Sequence, residues 1–259
     1  MQLKVLYNLF ASSPEGIWIM TWANAQYLYK FIKENPVKRV LDLGTGIGAS
    51  AAVMALAFQD KGETDYHIDT VEQYDKCVRL ANQLIPEELR KNISFHEVKP
   101  TVWEHEKIPY QYFSIYQTLP EGEYDLIVND GPAPWLDEKK GYVDLPNGTI
   151  HKLVSEGKLK PGTKVVYDGR LTSLKLLERY FAGNFTLNFV PPRGMDFYVL
   201  ERKENELEVK DERYHEVEKQ TPYFKNHQVE TKEELKHEDT LPINEQSPPS
   251  EATDTAQGA

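Results

Sequence analysis

The chain has 259 residues, a net charge of −11 and a single cysteine, Cys77. That length suits one large domain or two small ones. A lone cysteine excludes an intramolecular disulfide and fits a reducing, cytoplasmic setting. The charge is uneven: residues 201–259 hold 16 acidic and 8 basic side chains, which leaves residues 1–200 with a net charge of about −3. A near-neutral main segment argues against a broad duplex-binding surface, where Lys and Arg neutralise many phosphates. No stretch approaches the roughly 18 apolar residues that span a bilayer. The apolar run at 5–11 is too short for a signal-peptide core.

Residues 1–35 are expected to form an N-terminal helical cover. Within it, 1–19 are aromatic-rich and show no clean period. Thr21 then reads as a helix N-cap, followed by Ala25, Leu28, Tyr29, Phe31 and Ile32 at helical spacing. Asn35-Pro36 stops that helix. The run Arg39-Val40-Leu41-Asp42-Leu43 predicts a buried strand, followed by a glycine-rich turn and a helix of small residues from Ala49 to about Phe58. Strands are predicted at 66–71 and 92–98. Between them lies a helix with Tyr74, Cys77, Val78, Ala81 and Leu84 on one face.

Residues 99–122 read as an unusually long connection, and loops of that length are uncommon without a function. A fourth strand at 124–128 ends at Asn129-Asp130-Gly131. A short helix at 150–154, a turn at Lys160-Pro161-Gly162 and a fifth strand at 163–167 follow. Leu174, Leu177, Tyr180 and Phe181 mark another helix. Strands at 186–190 and 196–200 flank Pro191-Pro192-Arg193-Gly194, which reads as a hairpin turn.

This alternation predicts an α/β fold: a doubly wound, mostly parallel seven-stranded sheet with helices on both faces and an antiparallel C-terminal hairpin strand. The domain is expected to fill residues 1–203. Beyond it the apolar content collapses, so 204–259 is expected to be an acidic, largely disordered tail that buries too little apolar surface to offset its ordering entropy.

The central signal is Val40-Leu41-Asp42-Leu43-Gly44-Thr45-Gly46-Ile47-Gly48-Ala49-Ser50. Glycine permits a tight turn and a close ligand approach, and open α/β sheets bind ligands at the carboxyl ends of their strands. Gly44, Gly46 and Ala49 also satisfy a dinucleotide pattern. Asp42 decides between the two ligands: its carboxylate would repel a pyrophosphate and attract the ammonium of a methionine moiety. With Asp42, Gly44, Gly46 and Gly48, the chain resembles the class I S-adenosylmethionine-dependent methyltransferase superfamily over about residues 20–203. The resemblance implies that the turn from Gly44 through Thr45 to Gly48 borders the amino-acid part of the cofactor. It also implies that Glu72, ending the second strand, accepts both ribose hydroxyls, with Asp69 as its rival. A matching adenine contact is missing from Glu97-Val98-Lys99-Pro100-Thr101, and stacking by Trp103 is the substitute considered.

Methyl transfer needs an aligned acceptor and, for a hydroxyl, removal of its proton. Asp130-Gly131-Pro132 and Asp168-Gly169-Arg170 stand at the ends of strands four and five. Two acids there suggest a metal site or an acid–base pair. The arrangement resembles the metal-dependent O-methyltransferases of the catechol type, which implies Asp130 and Asp168 as ligands of Mg²⁺ or a similar ion. Gly169 stands where that family has Asn. The Asp-Gly-Pro and Asp-x-Arg elements are similar to glycan O-methyltransferase-like families. Arg170 either pairs with Asp168 or meets an acidic substrate. His151 is a further candidate base and Trp135 lies with it where substrate walls form, whereas Trp18 and Trp22 either close over the cofactor or serve ordinary packing.

The expected function is therefore O-methylation of a small-molecule or glycan hydroxyl. Two alternatives stand beside it: an aminopropyltransferase of the spermidine-synthase type, and a catalytically inactive binding subunit on the same fold.

Overall fold

The computed structural model describes residues 1–16, 19–105, 111–133, 135–137, 142–189 and 197–205. Trp18, the side chain of Trp135, the predicted turn at 191–194 and the acidic segment from 206 onward lie outside the described residues.

The chain opens with α1 (Leu3–Ala11) and α2 (Trp22–Glu34). The first of these is a helix where the sequence shows no clean period; it buries only Leu6 and Phe10 and leaves Val5 and Leu9 exposed. The start of α2 is as expected. The Thr21 side chain accepts a hydrogen bond from the Asn24 N–H at 3.2 Å, satisfying one of the orphan donors of the first turn. Trp22 packs edge-on against Tyr7 and lies under the Lys4 ammonium.

Strand β1 (Arg39–Leu43) leads into α3 (Ala49–Lys61), and β2 (His67–Glu72) into α4 (Asp75–Leu84) and α5 (Glu87–Arg90). Every residue of α3 from Ala49 to Phe58 is buried. A helix apolar all round must be covered on every side, and its alanines let α1, α2 and the sheet approach closely. Strand β3 (Ile93–Glu97) follows. The stretch expected to be a long connection instead holds the antiparallel pair β4 (Pro100–Glu104) and β5 (Tyr112–Tyr116). Its aromatic residues are packing groups: Trp103 lies 5.7 Å from Phe113, ring centre to ring centre.

The remaining elements are β6 (Leu126–Asn129), the small antiparallel pair β7 (Trp135–Asp137) and β8 (Tyr142–Leu145), α6 (Thr149–Ser155), β9 (Lys164–Asp168), α7 (Leu171–Phe181), β10 (Phe185–Phe189) and β11 (Phe197–Arg202). The seven-stranded sheet has the order β10-β11-β9-β6-β1-β2-β3. Only β11 runs against its neighbours, wedged between β9 and the edge strand β10. The expected hairpin is therefore present, with its second strand inside the sheet.

Alternation along the strands sorts the core into two layers. Val40, Val128 and Val166 face the layer of α1, α2 and α3, whereas Leu41, Ile127 and Val165 face the layer of α6 and α7. The chain reverses its winding between β1 and β6, and the crevice of a doubly wound sheet opens at such a point. Described order continues to Asn205, whose side chain accepts from Arg202 at 2.8 Å. Among the described residues no helix is long and apolar enough to cross a membrane.

The close cover of α3 generates a prediction. Ala52→Leu places a larger side chain where no exposed surface remains, and should cost about 1–3 kcal/mol, the usual range for overpacking. Urea denaturation measures it, and an unchanged midpoint would show that α3 is looser than described.

Candidate active site

Positions at the ends of β1, β6 and β9 coincide in register. Asp42 lies opposite Val128, and Asn129 lies opposite Tyr167, so the next residues, Asp130 and Asp168, end neighbouring strands. All three carboxylates line one cleft with Ile19, Met20, Gly44, Thr45, Ala49, Ser50 and Val128.

The cleft exists because two main-chain segments touch. A Cβ on Gly44 would stand 2.6 Å from the Gly131 nitrogen, and one on Gly131 would meet the Gly44 Cα at 2.7 Å. Gly44 also has φ +101, a region that side chains disfavour. The Gly131 N–H donates to Leu43 O at 2.6 Å, and the Gly44 N–H to Val71 O at 2.9 Å. The strand ends β1, β2 and β6 are thus joined by backbone hydrogen bonds around the turn. Gly46 and Gly48 also take positive φ, and a Cβ on Gly48 would meet Ala81 and Ile85 of the α4 region at 2.9 Å.

Asp42 is buried. Its Oδ2 accepts from Ser50 Oγ at 2.8 Å and from Thr70 Oγ1 at 2.9 Å. Its Oδ1 is buried with no partner among the described residues. Burial pushes the Asp42 carboxyl up to about 6, opposed by the two hydroxyl hydrogen bonds and reinforced by Glu72 and Asp168. An unpartnered carboxylate oxygen in a desolvated cleft is costly unless a donor meets it.

Glu72 closes the other side of the glycine turn. Its Oε2 accepts the Gly46 N–H at 2.9 Å, and its Oε1 the N–H groups of Gln73 and Tyr74 at 2.8 and 3.0 Å. Burial raises its pKa, and those backbone donors oppose the rise. Asp69, the rival, is committed elsewhere: it binds His96 Nε2 at 2.8 Å and receives the Tyr124 hydroxyl at 3.2 Å.

At the far end, Arg170 lies on Asp130 rather than on Asp168, with Nη2 2.9 Å from Asp130 Oδ1. The Asp130 side chain is 37% exposed. Its carboxyl is pushed up to about 7 by burial, against the pull of Arg170 and with a further push from Asp168 and Asp42. Asp168 accepts from Asn24 Nδ2 at 2.6 Å.

His151 is not brought to this cleft. It is 0% exposed, packs 4.5 Å from the Phe113 ring, and has no partner for either ring nitrogen among the described residues. Burial, with a push from His105, holds its imidazole down to about 3. His151 thus lies in the core beside Phe113, and among the described residues it does not line the cleft of Asp42, Asp130 and Asp168. Sequence reasoning missed Asn24, which reaches Asp168 from α2 across 144 positions. It also missed Gln73, whose Oε1 takes the Ala133 N–H at 2.8 Å and holds the chain after β6 beside the end of β2.

The contact between Gly44 and Gly131 makes a testable claim. Gly44→Ala adds left-handed strain of about 1–3 kcal/mol to a collision with backbone. Its thermal midpoint should fall by several degrees, with the loops at 44–48 and 130–133 losing hydrogen-exchange protection together. Loss of protection in the first loop alone would show that the two segments are not coupled.

The model of the protein-L-isoaspartate(D-aspartate) O-methyltransferase family matches residues 3–121. That segment carries the glycine turn, Asp42 and Glu72, and stops before Asp130 and Asp168. No curated protein matches the chain in sequence. Among solved structures, a Podospora anserina methyltransferase, PaMTH1, bound to S-adenosylhomocysteine is 16% identical, with a TM-score of 0.52 over 78% of this chain and 88% of its own. An O-methyltransferase from Bacillus cereus, also with S-adenosylhomocysteine, is 12% identical, with a TM-score of 0.51 over 78% of this chain and 90% of its own. A Geobacter sulfurreducens methyltransferase is 13% identical, with a TM-score of 0.50 over 78% of this chain and 87% of its own. With the strand order, the reversed β11 and the glycine turn after β1, these likenesses give the chain the fold of the class I S-adenosylmethionine-dependent methyltransferases.

Proposed function

We propose that the protein transfers a methyl group from S-adenosylmethionine to a hydroxyl oxygen of a small molecule, a sugar hydroxyl being one form of that acceptor. The observation that carries the reading is the buried, unpartnered Oδ1 of Asp42 beside a glycine turn too close-packed for side chains. These features fit an amino-acid ammonium: a cation completes the carboxylate, and the glycine backbone admits the ligand. In this reading Gly44, Thr45, Gly46 and Gly48 border the methionine portion. Glu72, already turned onto the glycine loop, has acceptor capacity left on Oε2 for a ribose hydroxyl.

When bound, S-adenosylmethionine supplies an electrophilic methyl group. The chain's own part is to hold an acceptor oxygen in line and to take its proton. In this reading Asp130 takes the proton, since it lines the cleft and its side chain is partly open to solvent. Asp168, fixed by Asn24, shapes the wall beside it. The charge of the cleft favours a neutral acceptor: Asp42, Asp130 and Asp168 would repel an acidic one, and Arg170 is already matched to Asp130. The family match ends before this region, so it bears on the cofactor half alone.

Binding of S-adenosylhomocysteine, measured by calorimetry, should weaken as the pH falls through about 6, where Asp42 takes up its proton. Ionised Asp42 attracts the ammonium and protonated Asp42 does not, so affinity is full above that pH and drops by up to about tenfold per unit below it. Asp42→Asn should weaken binding at pH 8 by about 1.5–3 kcal/mol, the range for hydrogen bonds to charge, and should flatten the pH dependence. A pH-independent affinity in the unmodified protein would count against this role for Asp42.

For the reaction end, Asp130→Asn should lower turnover by at least about a hundredfold, the low end for a positioned base. A panel of alcohols, phenols and sugars with radiolabelled methyl donor reads this out. Equal turnover in the variant would move the chemistry elsewhere. Labelling of amines in preference to hydroxyls would overturn the oxygen acceptor. Consumption of decarboxylated cofactor would favour aminopropyl transfer. Binding without any turnover would favour an inactive binding subunit.

A further inference from the structure

Two carboxylates at the ends of neighbouring parallel strands are a natural seat for a divalent cation, yet protein groups already occupy their reach. Arg170 holds Nη2 2.9 Å from Asp130 Oδ1. Asn24 places its amide 2.6 Å from Asp168 Oδ1. Gly169 turns through φ +67 and offers no side chain where a third ligand would stand. Among the described residues no group of three or more His, Cys, Asp or Glu side chains is placed to hold an ion. The donor set therefore does not fit a metal. Carboxylate ligands serve a hard cation by supplying unmatched negative charge, and here that charge is met by a guanidinium that cannot be deprotonated.

Arg170 is well placed to stay there. It directly precedes α7, and its carbonyl accepts the Leu174 N–H at 3.0 Å, which ties its main chain to the first turn of the helix. Its Nε is buried with no partner among the described residues.

We propose that Arg170 stands in for the divalent ion at this reaction centre. Its fixed positive charge orients Asp130. Arg170 is thus a positioning residue for Asp130. This inference rests on the methyl-transfer reading and narrows its acceptor class. With no ion to chelate two vicinal oxygens, an isolated hydroxyl suffices and a catechol-like pair is not required.

The test is a Mn²⁺ titration of the full, chelator-stripped chain followed by electron paramagnetic resonance, with a parallel calorimetric titration of S-adenosylhomocysteine. The wild type should show no Mn²⁺ site tighter than the millimolar range. Arg170→Ala, which frees Asp130 of its cation, should bind Mn²⁺ at least tenfold more tightly than the wild type. Arg170→Lys, which keeps the charge, should stay as weak as the wild type. Adding Asp130→Asn to Arg170→Ala should remove the gain. In turnover assays, acceptors with one hydroxyl should react at rates unaffected by chelator. A micromolar Mn²⁺ site in the wild type, or activity lost to chelator and restored by Mn²⁺, would overturn the proposal. So would an Arg170→Ala variant, folded by its circular dichroism, that gains no affinity for Mn²⁺. Failure of the wild type to bind S-adenosylhomocysteine would instead overturn the methyl-transfer reading and leave the Mn²⁺ result standing.

Discussion

Backbone meeting backbone at Gly44 and Gly131 is the constraint on which the rest of this site depends. Neither residue can carry a Cβ without driving into the other segment or into the Tyr116 hydroxyl. Because nothing separates them, the ends of β1 and β6 lie at main-chain contact, and Asp42 and Asp130 open into a single cleft. Other groups then pin this arrangement from outside. Gln73 holds Ala133, the Asn147 amide donates to Gly131 O, and Tyr116 donates to Val71 O. The turn is thereby tied to β2 on one side and to the segment after β6 on the other.

The electrostatics follow from that geometry. Three carboxylates that share a desolvated cleft cannot all stay ionised without donors or cations. Each has a different answer. Asp42 takes two hydroxyls on one oxygen and leaves the other bare. Asp168 takes an amide from α2, and Asp130 takes a guanidinium from the start of α7. Of the three, among the described residues, only Asp42 keeps a buried oxygen without a partner, which is where the proposed reading seats the cofactor's ammonium. Asp130 is the most solvent-exposed of the three carboxylates.

The strand–turn–helix at Asp42 is legible in the sequence because it rests on local order. Asp42 with Gly44, Gly46 and Gly48 is contiguous, and its strand–turn–helix setting follows from a run of five residues before it and a small-residue helix after it. The strand ends at Asp130 and Asp168 were equally plain, because alternating apolar runs stop there. Reading failed where a residue's meaning depends on what packs against it. His151 has the chemistry of a base and the position of a core residue, and only its neighbours Phe113 and His105 distinguish the two. The stretch 99–122 looked like a loop because its aromatics show no simple pattern, although β4 and β5 pair there and bury them against each other. The helix α1 was hidden for a related reason: it buries two residues, too few to print a period.

The sequence by itself determined the α/β order, the glycine turn and the acids at its strand ends, because these rest on backbone conformation and on periodicity along neighbouring residues. Tertiary structure decided which acids share a cleft, which partner each one takes and which candidates lie outside it. Arg170 could have paired with Asp168, two residues away, and pairs with Asp130 instead. Asn24 reaches Asp168 across 144 positions of chain. Partner choice of this kind is set by how the sheet winds and how helices pack on it, since charge and hydrogen bonding act through space and carry no mark of their range in the order of residues.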